Sequence, residues 1–307
     1  MAHRRPGIYV GGRVLPFWIS ISLLSLVQGA IVALPGALSW APAARLRSRR
    51  WAVIPPLSVI AFVFGARAAE SASAQGLTYL ALVAVPVLAV LALGWLAWGW
   101  AGGARARAFR MLAAVPLFAL AWLDRGGLAG EAAALCLSGL SCVALGALLA
   151  SVTPPRWLAA GIVAMAIADT TLVVSDLLQK PNDALNAARP AANLPQLQSA
   201  VLGSAVMGYG DLFIAGVLGG LLAVSFGRRL QLRAAALTAI LALAFDLLFF
   251  AVDELPATVP VALALIAVLV RRRWKFADVP PAPVPPRGVE AERPRSRAPA
   301  ARLSPER

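Results

Sequence analysis

The chain is 307 residues long, 60% hydrophobic and only 14% charged, with a mean hydropathy of +0.77. Soluble domains are about half apolar and about a quarter charged, so this composition excludes a soluble globular protein and indicates an all-α polytopic membrane protein. The formal charge of +14 comes almost wholly from arginines in short loops and in the C-terminal tail, without interleaved stacking aromatics; it reads as topology information and contact with anionic lipids of the bilayer, with no nucleic acid as partner.

A window of about 19 residues finds nine candidate spans, each close to the roughly 20 apolar residues needed to cross a core of about 30 Å. In chain order they are Val14 to Leu38, Trp51 to Ala69, Leu77 to Trp100, Ala108 to Leu123, Ala129 to Val152, Trp157 to Leu177, Ser199 to Phe226, Ala234 to Val252 and Leu255 to Val270. The first follows Arg4 and Arg5 but is too long for a signal-peptide core, so it counts as a span. Trp40, Trp51, Trp100, Trp122, Trp157 and Trp274 lie near span ends, as interfacial aromatic belts do. Cys136 and Cys142 share the fifth span at a separation of about 9 Å along a helix axis, so they cannot bridge. With the single His3 they leave no zinc or haem ligand set, and neither a metal nor a cofactor is expected.

Loop charges set the orientation. Arg45, Arg47, Arg49 and Arg50 follow the first span, Arg105, Arg107 and Arg110 the third, Arg228, Arg229 and Arg233 the seventh, and Arg271 to Lys275 the ninth. The positive-inside rule makes that side cytoplasmic. The opposite loops carry Arg67 with Glu70, Asp124 with Arg125 and Glu131, and Asp253 with Glu254. The N-terminus is then outside and the C-terminus cytoplasmic; Arg4, Arg5 and Arg13 argue the other way and are outvoted. Residues 1–152 read as a five-span scaffold, 153–274 as a four-span unit carrying the intramembrane acids, and 275–307, rich in Pro, Arg and Ala, as a disordered cytoplasmic tail. The Ala, Arg and Pro bias suggests a bacterial cell membrane.

A charge at mid-membrane depth costs roughly 2.5 to 3.5 kcal/mol, which makes an acid there a functional hypothesis. Asp169 lies in the sixth span, Asp211 in the seventh and Asp246 in the eighth. Asp169 and Asp211 are each about 18 Å from the start of antiparallel spans, so both carboxylates reach the same level. Two carboxylates within about 4 Å do not both ionise cheaply, and such a pair supplies a general acid and a general base to activate water on a peptide carbonyl. Asp176 follows near the interface, where an acid is cheap. Asp246, in "LALAFDLLFF", needs a partner or water and suits an ion path.

The stretch Gly208-Tyr209-Gly210-Asp211 resembles the GxGD motif of intramembrane aspartyl proteases, the presenilin and signal peptide peptidase family. In that family the first aspartate lies in the sixth span, the GxGD aspartate in the seventh, and a Pro-Ala-Leu motif opens the ninth. This chain has Asp169 in "AIADTTLVV", Asp211 in "GYGDLFIAG" and Pro256-Ala257-Thr258 in "DELPATVPVALAL". The resemblance, over about Trp157 to Val270, implies a presenilin-like helical fold, Asp169 and Asp211 as the catalytic pair, a transmembrane helix as substrate, and Gly208, Tyr209, Gly210, Pro256, Ala257 and Thr258 beside it. The family's usual Tyr before the first aspartate is Ala168 here, and its Leu is Thr258; these departures bear on substrate fit more than on chemistry. The polarity is similar to signal peptide peptidase more than to presenilin. Prepilin peptidases also carry GxGD, but with a Lys two residues after the aspartate, where this chain has Phe213, and without the Pro-Ala element. A transporter using its acids as ion sites is the other alternative.

Physical roles follow without the family. Gly208 and Gly210 let backbone approach Asp211 closely, or serve small-residue helix packing. Pro256 and Pro260 suit a first helical turn and leave neighbouring carbonyls free. The loop Gln179 to Gln198 is either a strand-like edge that captures an unwound substrate by main-chain pairing or a solvated connector.

Overall fold

Apolar segments in a bilayer must satisfy their own backbone groups, which favours helices over any open arrangement. A computed structural model of the chain describes residues 15–38, 46–58, 61, 70–96, 108–177, 179–252 and 254–271. Its helices are α1 (Phe17–Ala33), α2 (Glu70–Leu91), α3 (Ala114–Leu123), α4 (Leu128–Val152), α5 (Pro155–Val174), α6 (Gln179–Ala187), α7 (Tyr209–Ser225), α8 (Arg228–Asp246) and α9 (Thr258–Arg271). Between α6 and α7 stands an antiparallel hairpin, β1 (Ser199–Leu202) and β2 (Ala205–Gly208), with Ser199 opposite Gly208 and Leu202 opposite Ala205. Among the described residues, Ala74–Gly94, Leu128–Val152, Pro155–Val174 and Arg228–Phe250 are long and apolar enough to cross a membrane; Phe17–Ala33, Phe109–Leu123, Tyr209–Ser225 and Thr258–Arg271 are shorter apolar helices. The protein is a mostly helical membrane protein.

Helix α4 is the axis, since 67% of its apolar window is buried against 22% for the span through α2 and 28% for that through α8. Glycines explain how α7 comes against it. A Cβ on Gly216 would overlap the carbonyl of Cys142, one on Gly146 the carbonyl of Gly216, and one on Gly220 the carbonyl of Gly146. The two backbones therefore touch, the small-residue contact that substitutes for hydrophobic driving force in lipid. On the other side α1 packs on α8, where a Cβ on Gly29 would come 2.7 Å from Ala239 Cβ. Gln231 of α8 donates from Nε2 to the carbonyls of Val32 (3.0 Å), Pro35 (2.8 Å) and Gly219 (3.2 Å), so one amide serves orphan carbonyls at the end of α1 and ties them to α7. Helix α1 packs on both α7 and α8, so contacts among the described residues run across residue 152.

Several expected spans change on folding. The seventh, expected from Ser199 to Phe226, is helical only from Tyr209; its first ten residues are the hairpin and its turn. The turn is Gly203-Ser204, with Gly203 at φ 58°, a conformation that costs glycine nothing and that two-residue hairpins of the II′ class place at the first central position. The loop Gln179 to Gln198 is neither strand nor solvated connector but a folded cap: helix α6 and a short 3-10 turn, with Gln198 Nε2 on the carbonyls of Leu185 (3.3 Å) and Ala188 (3.2 Å). The eighth span starts early, at Arg228, and its α-helix stops at Asp246, after which Leu247–Phe250 continues the apolar segment as a 3-10 turn. The fourth is broken into a turn, Ala108–Met111, and α3. Most of the second span, Trp51 to Ala69, falls outside the described residues, as do Arg45, Arg105, Arg107, His3 and the tail 275–307.

Candidate active site

Helix α7 opens on an extended Gly208 (φ −64°, ψ 145°), and Asp211 occupies its first turn. The Gly208 N–H donates to Asp211 Oδ2 at 3.1 Å. Glycine has no side chain to reciprocate, so this is the returning half of a capping box, at a helix end whose dipole favours an anion. Capping accounts for one carboxyl oxygen. It does not account for the surroundings: the start of α7 faces α5, the helix that carries Asp169, with a Cβ at Gly210 lying 3.4 Å from Met165 Cε.

Asp169 sits in the last third of α5 and is 8% exposed. Thr258 Oγ1 donates to its Oδ2 at 2.7 Å. Thr258 is the first residue of α9, so Asp169 meets the start of α9 from a neighbouring helix. Each carboxyl thus rests at a helix start and accepts one hydrogen bond there, from the Gly208 N–H for Asp211 and from the Thr258 hydroxyl for Asp169, which offsets part of the lost hydration of a buried acid. Asp169 lies near the end of α5 and Asp211 near the start of α7, so both stand toward the hairpin end of the bundle. Among the described residues no direct hydrogen bond joins them.

The other motif residues divide. Gly208 lies directly beside the Asp211 carboxyl, where a Cβ would come 3.0 Å from Oδ2, and a Cβ on Gly210 would meet Met165 Cε of α5 at 3.4 Å. Tyr209 turns the other way: its hydroxyl lies 2.7 Å from Ser141 Oγ on α4. The one hydrogen of Ser141 goes to the Ser138 carbonyl at 2.7 Å, so Tyr209 is the donor. Pro256 is buried and Ala257 half-buried just before α9, and Pro260 falls in its first turn, where no helical donor is lost. Asp246 stands apart, accepting from Ser25 Oγ of α1 at 2.8 Å, and Asp176 ends α5 in a left-handed turn at φ 54°.

Sequence reasoning missed two contributors, Gln28 and Glu254, and the role of a third. Thr258, expected beside the substrate, holds Asp169 through its hydroxyl. Gln28, fully buried in α1, donates from Nε2 to the carbonyls of Asp211 (3.2 Å) and Ala257 (2.8 Å); an amide inside "SLVQGAIVA" was the available signal. Glu254, half-buried before α9, receives Asn182 Nδ2 of α6 at 3.1 Å. Burial, with the charges of Asp176 and Asp183, lifts its carboxyl above the ordinary 4.5, against the opposing Asn182 bond. A raised acid is destabilising only once ionised, so Glu254→Gln is expected to raise the melting temperature above its folded-state titration and to change nothing well below pH 4.5. Equal melting shifts at pH 4 and pH 8 in detergent would contradict this.

Beside the carboxyls runs an apolar groove of about 470 Å³ between α5 and α9, lined by Val163, Ile167, Thr170, Val174, Val259 and Leu263. Thr170 follows Asp169 and Val259 follows Thr258, so the groove borders the Asp169–Thr258 contact without either carboxyl in its wall. The chain matches no protein-family model, no curated protein and no solved structure.

Proposed function

We propose that the protein is an intramembrane aspartyl protease with about nine spans and a presenilin-like arrangement, in which Asp169 and Asp211 act as an acid and base pair that activates water on a peptide bond of a transmembrane substrate. The observation that carries this reading is the convergence of three separated segments: Asp211 in the first turn of α7, Asp169 on α5, which packs against α7, and Thr258 of the Pro-Ala-Thr element at the start of α9, bonded to Asp169. Capping would explain any one of these acids; it does not place two of them together. One shared proton lets one carboxyl donate while the other accepts, with roles exchanged over the cycle.

A helical substrate shields its peptide bonds until a stretch is unwound. Strand β2 runs straight into Gly208 and Asp211, and its residues alternate buried and exposed, Ala205 and Met207 inward, Val206 and Gly208 outward. An extended substrate segment adding to that edge would be delivered to the carboxyls by main-chain pairing. The test is cleavage of a single-span substrate by the purified protein in proteoliposomes, and inhibition by a peptide isostere whose hydroxyl occupies the water position. A folded protein that cuts no such substrate and binds no such isostere contradicts the assignment.

The proposed polarity puts the N-terminus outside and the C-terminal tail in the cytoplasm. Arg228, Arg229, Arg233 and Arg271 occupy the ends of α8 and α9 remote from the hairpin. Cysteines placed in α6 are therefore expected to react with an impermeant maleimide on intact cells, and cysteines after Arg271 only after permeabilisation. The reverse pattern would invert the polarity.

A further inference from the structure

We infer that Gln28 is a positioning residue that locks the start of α9 to the backbone of Asp211, an inference that rests on the protease reading for its catalytic consequence. Its amide is the only side chain among the described residues that bonds both the Asp211 segment and the Pro256-Ala257-Thr258 element. The assignment of its atoms is forced, because both partners are carbonyls and accept only, so the nitrogen must face them. The resulting chain runs from the Asp211 carbonyl through Gln28 to the Ala257 carbonyl, and from the adjoining Thr258 to Asp169. Its links are hydrogen bonds except for the peptide bond that joins Ala257 to Thr258, and its ends are the backbone carbonyl of Asp211 and the carboxyl of Asp169. Proline at 256 and 260 leaves this strip of backbone with few donors of its own, so a tether from α1 sets where Thr258 stands.

Stability alone does not call for an amide here. Gln28 is fully buried, and its Oε1 has no partner, whereas a buried polar atom is ordinarily satisfied. An apolar side chain of the same length would fill the space without that loss. The residue thus keeps an unsatisfied acceptor while its nitrogen bridges two segments that carry the site.

The inference is tested with Gln28→Met, near-isosteric and apolar, and Gln28→Leu in parallel, in the full-length protein in detergent and in proteoliposomes. Removing the tether is expected to lower kcat about 100-fold, the scale of a misplacement of roughly 1 Å at a reacting pair, with KM within about twofold because no substrate contact is lost. Hydrogen exchange is expected to quicken at the amides of Ala257, Thr258 and Val259 and to stay as in the parent along α4, with no fall in melting temperature. Parental kcat in Gln28→Met, or unchanged exchange over those three amides, overturns the inference. Exchange that rises throughout together with a lower melting temperature assigns Gln28 to general packing and overturns it too. If the parent itself cuts nothing, the protease reading fails, and the exchange result alone decides whether Gln28 holds α9 in place.

Discussion

Asp169→Asn and Asp211→Asn are each expected to abolish measurable cleavage of a single-span substrate while the protein accumulates in the membrane at its parental level. Asparagine keeps the shape and one carbonyl oxygen, so Thr258 still has an acceptor at position 169 and the Gly208 N–H still has one at 211. The helix starts of α7 and α9 therefore survive. What is lost is the ionisable proton, and with it one half of an acid and base pair, a term that contributes about 10²- to 10⁴-fold. Asp246→Asn should leave cleavage near the parental rate, since Asp246 bonds Ser25 and neither member of the pair acts on it. Full cleavage by either pair variant would remove that residue from the mechanism. Ion flux lost in Asp246→Asn from a protein that never cleaves would favour the transporter instead.

Gly216→Ala is expected to lower stability and activity together. Its Cβ would overlap the backbone carbonyl of Cys142 in α4 and fall close to the Cys142 carbonyl carbon. Backbone cannot swing aside as the end of a side chain can, so α7 must move off the axis helix, an overpacking that costs typically 1 to 3 kcal/mol. The displacement is carried along α7 to Asp211, five residues away on the same helix, so activity falls with stability. Gly210→Ala is the control, because its Cβ would meet only the flexible end of Met165 at 3.4 Å. Melting temperatures of the two variants should separate them clearly; equal values would show that α4 and α7 have room to part.

Both predictions turn on residues that the sequence displays, but for reasons it displays unevenly. Gly208, Gly210, Asp211, Asp169 and Pro256 were legible because a carboxylate or a Gly-Pro pattern is rare in apolar segments. The bond made by Thr258, itself legible, and the whole contribution of Gln28 were not, since both depend on what lies opposite from segments 89 and 183 residues distant. Asp246 shows the converse: mid-span by hydropathy, it is the last residue of α8, with Ser25 as its partner.

Composition alone determined that the chain belongs in a bilayer and is mostly helical, because burying so apolar a chain in lipid leaves its backbone no solution but internal hydrogen bonds. Hydropathy could not determine where helix gives way to strand. Ser199 to Gly208 is as apolar as a span, and a short apolar run reads alike in either form; the two-residue Gly203-Ser204 turn and the packing of β1 on α4 and α1 decided it. That decision moved Asp211 from the interior of a span to the first turn of a helix. Only the tertiary structure could then bring Asp169, Thr258 and Gln28 to it, because hydrogen bonds across segments are made by the packing of α1, α5, α7 and α9 and leave no periodic trace in any one of them.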